Sequence, residues 1–410
     1  MRNLRVNADR IGADLDAMSK ITDPDRPWTR RAFSARFDEG RVWLRDRFTQ
    51  AGLDIAMDPG GNLIGTLKGS DPGAGVIMIG SHSDTVPDGG RFDGVAGVIV
   101  ALEVARMLNE QGIRLRHDLA VVDFLAEEVS VFGVSCIGSR TLTGVLPDAW
   151  LDLTFEGRTL AQAMRDVGGA PDRMRARSDI RAFLELHIEQ GTVLESSGTD
   201  LGIVTDIAGI ERIEVVLTGQ PDHAGTTPMN ARADALVAAA ALVSDIDTEA
   251  KRRASGPEHF TATVGEFSIE PGAANVVPGR VRMLIDARSS VRAQMEDFVR
   301  WTQTRAADLP PGIRVETRLL SDNPPRPMDE AVVARLEEAA GKVGASHRRM
   351  VSGAGHDAAY MAQIAPAAMI FVPSKDGRSH CAEEWTEIAD IALGAEVMAE
   401  TVIALDQEGD

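Results

Sequence analysis

The sequence predicts an α/β protein in which a mixed-sheet domain is interrupted by a small β-α-β-β-α-β, ferredoxin-like domain. Three observations carry that expectation. Up to residue 207, short apolar runs bounded by glycine alternate with longer helical patterns, the rhythm of a sheet covered on both faces. From 208 to 325 the order becomes strand, helix, strand, strand, helix, strand, which makes a complete unit by itself. The α/β rhythm resumes from 326 to 410, so the first and last segments belong to one domain.

The elements follow in order. "DIAMDPGGNLIGTLKG" reads as a hairpin turning at "DPGG". "GVIMIG", ending at Gly80, is a buried strand, and "GVAGVIVALEVARML", from Gly94, is a helix with a small-residue face. "HDLAVVDFLAEE" is a strand ending at Glu128, and "RAFLELHIEQG" another ending near Gly191. In the inserted domain "GIERIEVVLTG", "FTATVGEFSI", "GRVRMLIDAR" and "IRVETRLLS" are strands; "ARADALVAAAALVSDI" and "SVRAQMEDFVRWTQTRA" are helices. "SDNPPRPMDE" is the linker out, followed by the helix "EAVVARLEEAAGKVG" and the strand "AAMIFVPS".

Composition narrows the function. The 410 residues suffice for two or more cores, and 44% hydrophobic with 26% charged residues is ordinary for a globular protein. A net charge of −19 argues against nucleic acid or an anionic membrane as partner, and 4% aromatics leave no stacking surface for single strands. A small anionic substrate stays possible, since one or two local arginines can hold it. No apolar run approaches the roughly 18 residues of a membrane span. "MRNLRVNADRIGADLDAMSKI" has charges where a signal peptide needs an apolar core, and the two cysteines, Cys136 and Cys381, form no disulfide framework. A cytoplasmic location is the expectation.

"GSHSDTVPDGGRFDG", residues 80–94, places His82, Asp84, Asp88 and Asp93 at a strand-to-helix junction, where open α/β sheets bind ligands. An imidazole and a carboxylate suit a divalent metal, and Asp84, on the same side of the strand as His82, can accept a hydrogen bond from that ring. Glu127 and Glu128 cannot share one face of a strand, but a strand end lets both converge, one on metal and its neighbour on protons. "LELHIEQG" brings His187 and "GRSHCAEEWT" brings His380. Five of the eight histidines, His82, His187, His223, His356 and His380, lie beside glycine-rich or acidic strand ends; His117, His259 and His347 read as structural or solvated. Three histidines with Asp93 and Glu128 provide for two metals sharing a carboxylate, the arrangement of metal-assisted amide hydrolysis.

The stretches "GSHSDTVPDGGRFDGVAGV", "AEEVSVFG", "ELHIEQGTVLE", "DHAGTTPMNARADA", "NVVPGRVRMLIDAR", "SGAGHDA" and "IFVPSKDGRSH" span nearly the whole chain in family order. Together they resemble the M20 family of two-metal amidohydrolases, in the branch of N-carbamoyl-L-amino acid hydrolases, β-ureidopropionases and allantoate amidohydrolases. The resemblance implies a two-metal exopeptidase-like catalytic domain (1–207 and 326–410) with an inserted lid and dimerisation domain (208–325). It implies two divalent ions, Zn, Mn, Co or Ni, one held by His82, Asp93 and His187 and the other by Asp93, Glu128 and His380. Asp84 would clamp the His82 ring, and the Asp93–Gly94 peptide would be cis. Glu127 would be the general base acting on metal-bridging water. His223 would stabilise the oxyanion in a partner subunit's site, implying a homodimer. Asn275 and Arg288 would grip the substrate's carboxylate, with Gln190 and His356 adding polar contacts.

The implied reaction is hydrolysis of the ureido group of an N-carbamoyl-L-amino acid to amino acid, CO2 and NH3. Allantoate, N-carbamoyl-β-alanine or another N-acyl amino acid would suit the same motifs. An aminopeptidase fits "HIEQG" and "GAGHDA" less well, and a metal-bearing binding protein would not need Glu127. The chain departs from the family pattern at "CAEEWT" after His380 and at Arg378, which bears on the substrate's side-chain pocket. Cys381 is expected to be buried and inert.

Overall fold

The computed structural model describes residues 4–407; residues 1–3, where the charge-interrupted N-terminal segment opens, and residues 408–410 lie outside them. The chain forms two compact units, one of Met1–Thr205, Met328–Met350 and His356–Asp410, the other of Asp206–Pro327 and Val351–Gly355. Before the insertion come strands β1 (Asp54–Met57), β2 (Leu63–Leu67), β3 (Val76–His82), β4 (Asp118–Phe124), β5 (Ile180–Ile188) and β6 (Leu201–Ile207). Then follow β7 (Gly209–Thr218), β8 (Phe260–Glu270), β9 (Arg280–Ser289) and β10 (Arg314–Asn323), and on return β11 (His347–Ser352) and β12 (Ala367–Val372).

The large sheet runs β1-β2-β4-β3-β5-β12-β6, with β11 paired to β6. Its middle is parallel, β4 with β3, β3 with β5, β5 with β12, and its flanks are antiparallel. Register sets His82 of β3 opposite Phe124 of β4, and His187 of β5 opposite Phe371 of β12. Four parallel strands therefore end side by side, and the polar residues after them share one edge. Every β3 residue is buried, as a strand covered on both faces requires. The helix Val95–Glu110 is buried from Val95 to Leu108 and packs on this sheet, in contact with the helices Ala8–Ser19 and Ile388–Gln407. Each fully buried aliphatic or aromatic side chain here, such as Ile99, Leu102 or Phe183, stabilises the unit by about 1.5–3 kcal/mol.

The second unit has the sheet order β8-β9-β7-β10, antiparallel throughout, the ferredoxin-like arrangement. Alternate residues of β9, Val281, Met283, Ile285 and Ala287, are buried beneath the helices Ala235–Ala254 and Arg292–Ala307. The first of these helices begins four residues later than its sequence pattern suggests. Asp234 caps it, its carboxylate accepting hydrogen bonds from the amides of Leu236 and Val237.

Strand β4 also stops early, at Phe124 rather than Glu128. The Asn62 side chain takes the Leu125 amide at 3.0 Å, Ala126 turns to φ +52°, and the chain leaves the sheet. Arg41 anchors that exit. Its guanidinium lies 2.6 Å from the buried Asp123 carboxylate and donates to the carbonyls of Gly61, Asp123 and Phe124. Burial pushes the Asp123 carboxyl up, and Arg41 is the main influence opposing it. Removing one partner of a buried pair strands the other, so Arg41→Ala should cost about 3–5 kcal/mol in urea unfolding at neutral pH. In an Asp123→Asn background the same change should cost clearly less.

Candidate metal centre

The sheet edge is built from backbone constraints first. Arg30, fully buried, donates to the carbonyls of Ser83, Met18 and Ile21, fixing the chain just beyond His82; burial lowers its pKa to about 10. The His82 Nδ1 lies 3.0 Å from the Asp84 carbonyl oxygen and 3.5 Å from its carboxylate, so Nδ1–H donates to the carbonyl and the Nε2 lone pair faces the site. The clamp on this ring is therefore chiefly the main chain of Asp84. The Asp84 carboxylate instead accepts the amides of Glu127 and Glu128, both at 3.2 Å, and draws those two glutamates to the edge.

His187 is oriented in the same way. Its Nδ1 donates to the Ile188 carbonyl at 2.9 Å, and its Nε2 lies 2.9 Å from Asp93 Oδ1 while accepting the Gly94 amide. Burial alone would lower this histidine's pKa, but the Asp93 carboxylate outweighs it and raises the value. His380, about half exposed, lies 2.8 Å from Asp93 Oδ2 and 3.2 Å from Glu128 Oε1; these two acceptors push it up to about 11.

Asp93 thus divides its two oxygens. Oδ1 faces His187 and, at 3.8 Å, His82 Nε2; Oδ2 faces His380. Burial opposes ionisation of this carboxyl, and the neighbouring imidazoles of His187 and His380 hold it well below the usual range. In each of two triads, His82–Asp93–His187 and Asp93–Glu128–His380, the ligand atoms lie within 4.8 Å of one another. Imidazole nitrogens with inward lone pairs around a shared carboxylate are the donor set a divalent transition metal takes, so the residues fit such ions.

The glycine after Asp93 has a steric reason. A Cβ on Gly94 would stand 2.3–2.5 Å from the His82 ring, and the residue holds φ +64°. The cis peptide expected here is absent: among the described residues the cis bonds are Pro27–Trp28 and Glu270–Pro271. The positive φ of Gly94 makes the turn.

Glu127 is buried, with Oε2 3.6 Å from His82 Nε2 and Oε1 accepting a hydrogen bond from the Cys136 thiol at 3.4 Å. Burial raises its pKa well above the ordinary carboxylate value, with His82 opposing and Glu128, Asp357 and Asp84 reinforcing. A carboxyl of this kind takes and returns protons readily. Gln190, at φ +57°, donates to Asp93 Oδ2 at 3.2 Å, so it touches the shared ligand itself. His356 is buried with its ring 4.6 Å from that of His187, and burial followed by His187 keeps it well below the usual histidine value.

Three expected residues belong to the second unit. His223 is exposed, its Nδ1 accepting the amides of Gly225 and Thr226, which leaves the ring proton on Nε2. The Asn275 carbonyl accepts the Ala224 amide, tying the two loops together. Arg288 donates to Asp286 at 2.7 Å and to the Gly353 carbonyl at 2.8 Å.

Some residues were not anticipated. Glu384 is 1% exposed and accepts the amides of Phe92 and Asp93, and Ser379 donates to it. Cys136 touches Glu127. Cys381 is half-buried rather than enclosed, and neither cysteine is in a disulfide. Arg378 is exposed and pairs with Glu383 at 3.1 Å. His117 is buried against Asp406, while His347 is exposed.

Comparison with known proteins agrees with this geometry. A family model described as Peptidase family M20/M25/M40 matches residues 78–404. The chain is 39% identical to the N-carbamoyl-L-amino acid amidohydrolase of Geobacillus stearothermophilus, covering 98% of this chain and 99% of that protein. It is 36% identical to the allantoate amidohydrolase of Bacillus subtilis over 92% of each. A crystal structure of an amidase of the hydantoinase/carbamoylase family from Burkholderia multivorans superposes with a TM-score of 0.91 at 35% identity, covering 100% of both chains. With two ligand triads meeting at one carboxylate and full-length relatives on either side, the chain belongs to peptidase family M20/M25/M40 and is a metal-dependent amidohydrolase.

Proposed function

We propose that the chain hydrolyses the ureido group of an N-carbamoyl-L-amino acid, with water, to the amino acid, CO2 and NH3. The observation that carries the reading is Asp93, shared by two ligand triads with the Glu127 carboxylate beside them. The substrate class is supported by the relative from Geobacillus stearothermophilus. In this reading His82, Asp93 and His187 hold one divalent ion, and Asp93, Glu128 and His380 the other. Bound there, the ions polarise the ureido carbonyl and bring water's pKa toward about 7.

The remaining work falls to side chains. Glu127 takes the proton of the attacking water as oxygen bonds to the ureido carbon, then gives it to the leaving nitrogen as that carbon–nitrogen bond breaks; the carbamate left loses CO2 and frees the second nitrogen. Asp84 holds the Glu127 and Glu128 amides, so base and ligand keep their spacing. His223, its proton on Nε2, donates to the developing oxyanion of a partner subunit's substrate, which makes the working form a homodimer. Arg288 and Asn275 take the free carboxylate, the guanidinium suiting it by its planar fork. His356 and Gln190 line the substrate's polar end. The second unit serves as lid and dimerisation domain, and the enzyme works in the cytoplasm on a small carboxylate-bearing molecule. Allantoate is the second reading, favoured by the Bacillus subtilis relative.

Ammonia release from N-carbamoyl-L-amino acids, N-carbamoyl-β-alanine and allantoate should appear in metal-reconstituted protein and vanish after chelation. No release from any ureido compound by metal-loaded protein would sink the proposal. Glu127→Gln should keep its metal content and lose turnover by about 10²–10⁴-fold, measured by stopped assays alongside metal analysis. Arg288→Ala should lower kcat/KM by about 10–100-fold, the loss of a charge-assisted hydrogen bond, with metal content unchanged.

A further inference from the structure

His380 is the ligand with the least support. Its side chain is 47% exposed, it sits at φ +54° in a loop after β12, and no strand register sets its distance to Asp93. Yet both must meet one ion. The loop that carries it is fastened to the Asp93 segment through Glu384. Glu384, four residues on and 1% exposed, accepts the amides of Phe92 at 2.8 Å and Asp93 at 3.0 Å on the same carboxylate oxygen. Its other oxygen accepts the Ser379 hydroxyl at 2.7 Å. Ser379 also lies 3.5 Å from Asp93 Oδ2 and accepts from Gln190, which itself donates to Asp93.

The neighbours reinforce the joint. Phe92 packs edge-on against Trp385 with ring centroids 5.5 Å apart. The Arg91 guanidinium lies 5.0 Å from the Trp28 ring and 5.3 Å from that of Trp385. Glycine at position 90 leaves the room: a Cβ there would stand 1.9 Å from the Glu384 carboxyl. A buried carboxylate with three donors, beside a second carboxylate and against a glycine that leaves it room, is costly for folding alone, because packed apolar groups fill such a space at least as well.

We infer that Glu384 is a positioning residue for the ion held by Asp93, Glu128 and His380, setting the His380 loop against the Asp93 main chain so that both ligands reach the same metal. The inference rests on the two-ion reading above. Its role needs two acceptor oxygens or one acceptor with a polar partner for Ser379, which glutamine supplies and alanine does not.

The test is metal retention, read without turnover. Metal-stripped protein is titrated with Mn or Zn against a chromophoric chelator, and stoichiometry is measured after desalting, for wild type, His380→Ala, Glu384→Ala, Glu384→Gln and Gly90→Ala. Groups that orient metal ligands typically govern about 10–100-fold in affinity. Glu384→Ala should lose affinity for one ion of two in that range, matching His380→Ala, and Glu384→Gln should stay within about threefold of wild type. Gly90→Ala, which displaces the carboxylate without replacing it, should follow Glu384→Ala and serves if the latter does not fold. Wild-type affinity for both ions in Glu384→Ala, or in a folded Gly90→Ala, overturns the inference alone. A glutamine variant as deficient as alanine overturns it too. A wild type that holds fewer than two ions overturns the two-ion reading and this inference together.

Discussion

Everything at the sheet edge answers to one carboxylate, that of Asp93. It is buried, and ionisation there is unfavourable unless positive charge or donors surround it. The fold supplies His187 from one strand and His380 from a later loop, each within 2.9 Å, with His82 at 3.8 Å. Two of those imidazoles have one ring nitrogen held by the main chain. His82 donates to the Asp84 carbonyl and His187 to the Ile188 carbonyl, so each ring turns its lone pair inward. Backbone carbonyls at two strand ends thus decide the protonation pattern of the centre, and parallel register decides that the strand ends meet.

Much of this was readable in the amino-acid order, for a physical reason. Ligand residues stand at glycine-punctuated ends of apolar runs, and such ends must lie at a sheet edge. Periodicity likewise exposed the β-α-β-β-α-β unit, because each of its strands and helices buries one face. What escaped was local. Strand β4 looked longer than it is because "LAEE" continues an apolar-then-polar pattern, while the side chain of distant Asn62 takes its next amide. The Asp93–Gly94 bond looked cis by resemblance, yet a positive φ at glycine makes the turn.

Glu384 escaped for a related reason. It reads as one of two adjacent acids in a polar loop, which is the pattern of a solvated turn. Its neighbour Glu383 is just that, pairing with exposed Arg378. Only the tertiary fold shows that one of the pair points inward to two main-chain amides. The helix Ile388–Gln407 and strand β11 were also unremarked, the former because its small residues give a weak stripe, the latter because "HRRMVS" carries its apolar residues only at the end.

The position of β12 has a consequence for the order in which the protein can be made. This strand lies between β5 and β6 in the sheet but follows both by more than a hundred and fifty residues in the chain, with the whole second unit intervening. A growing chain leaving the ribosome contains most of the ferredoxin-like unit while the larger sheet still has a gap between β5 and β6. Until residue 372 emerges, the Asp93 edge has neither its last parallel neighbour nor His380. The nascent protein therefore carries an unfilled strand position from residue 207 to residue 372, and the centre is assembled after it is filled.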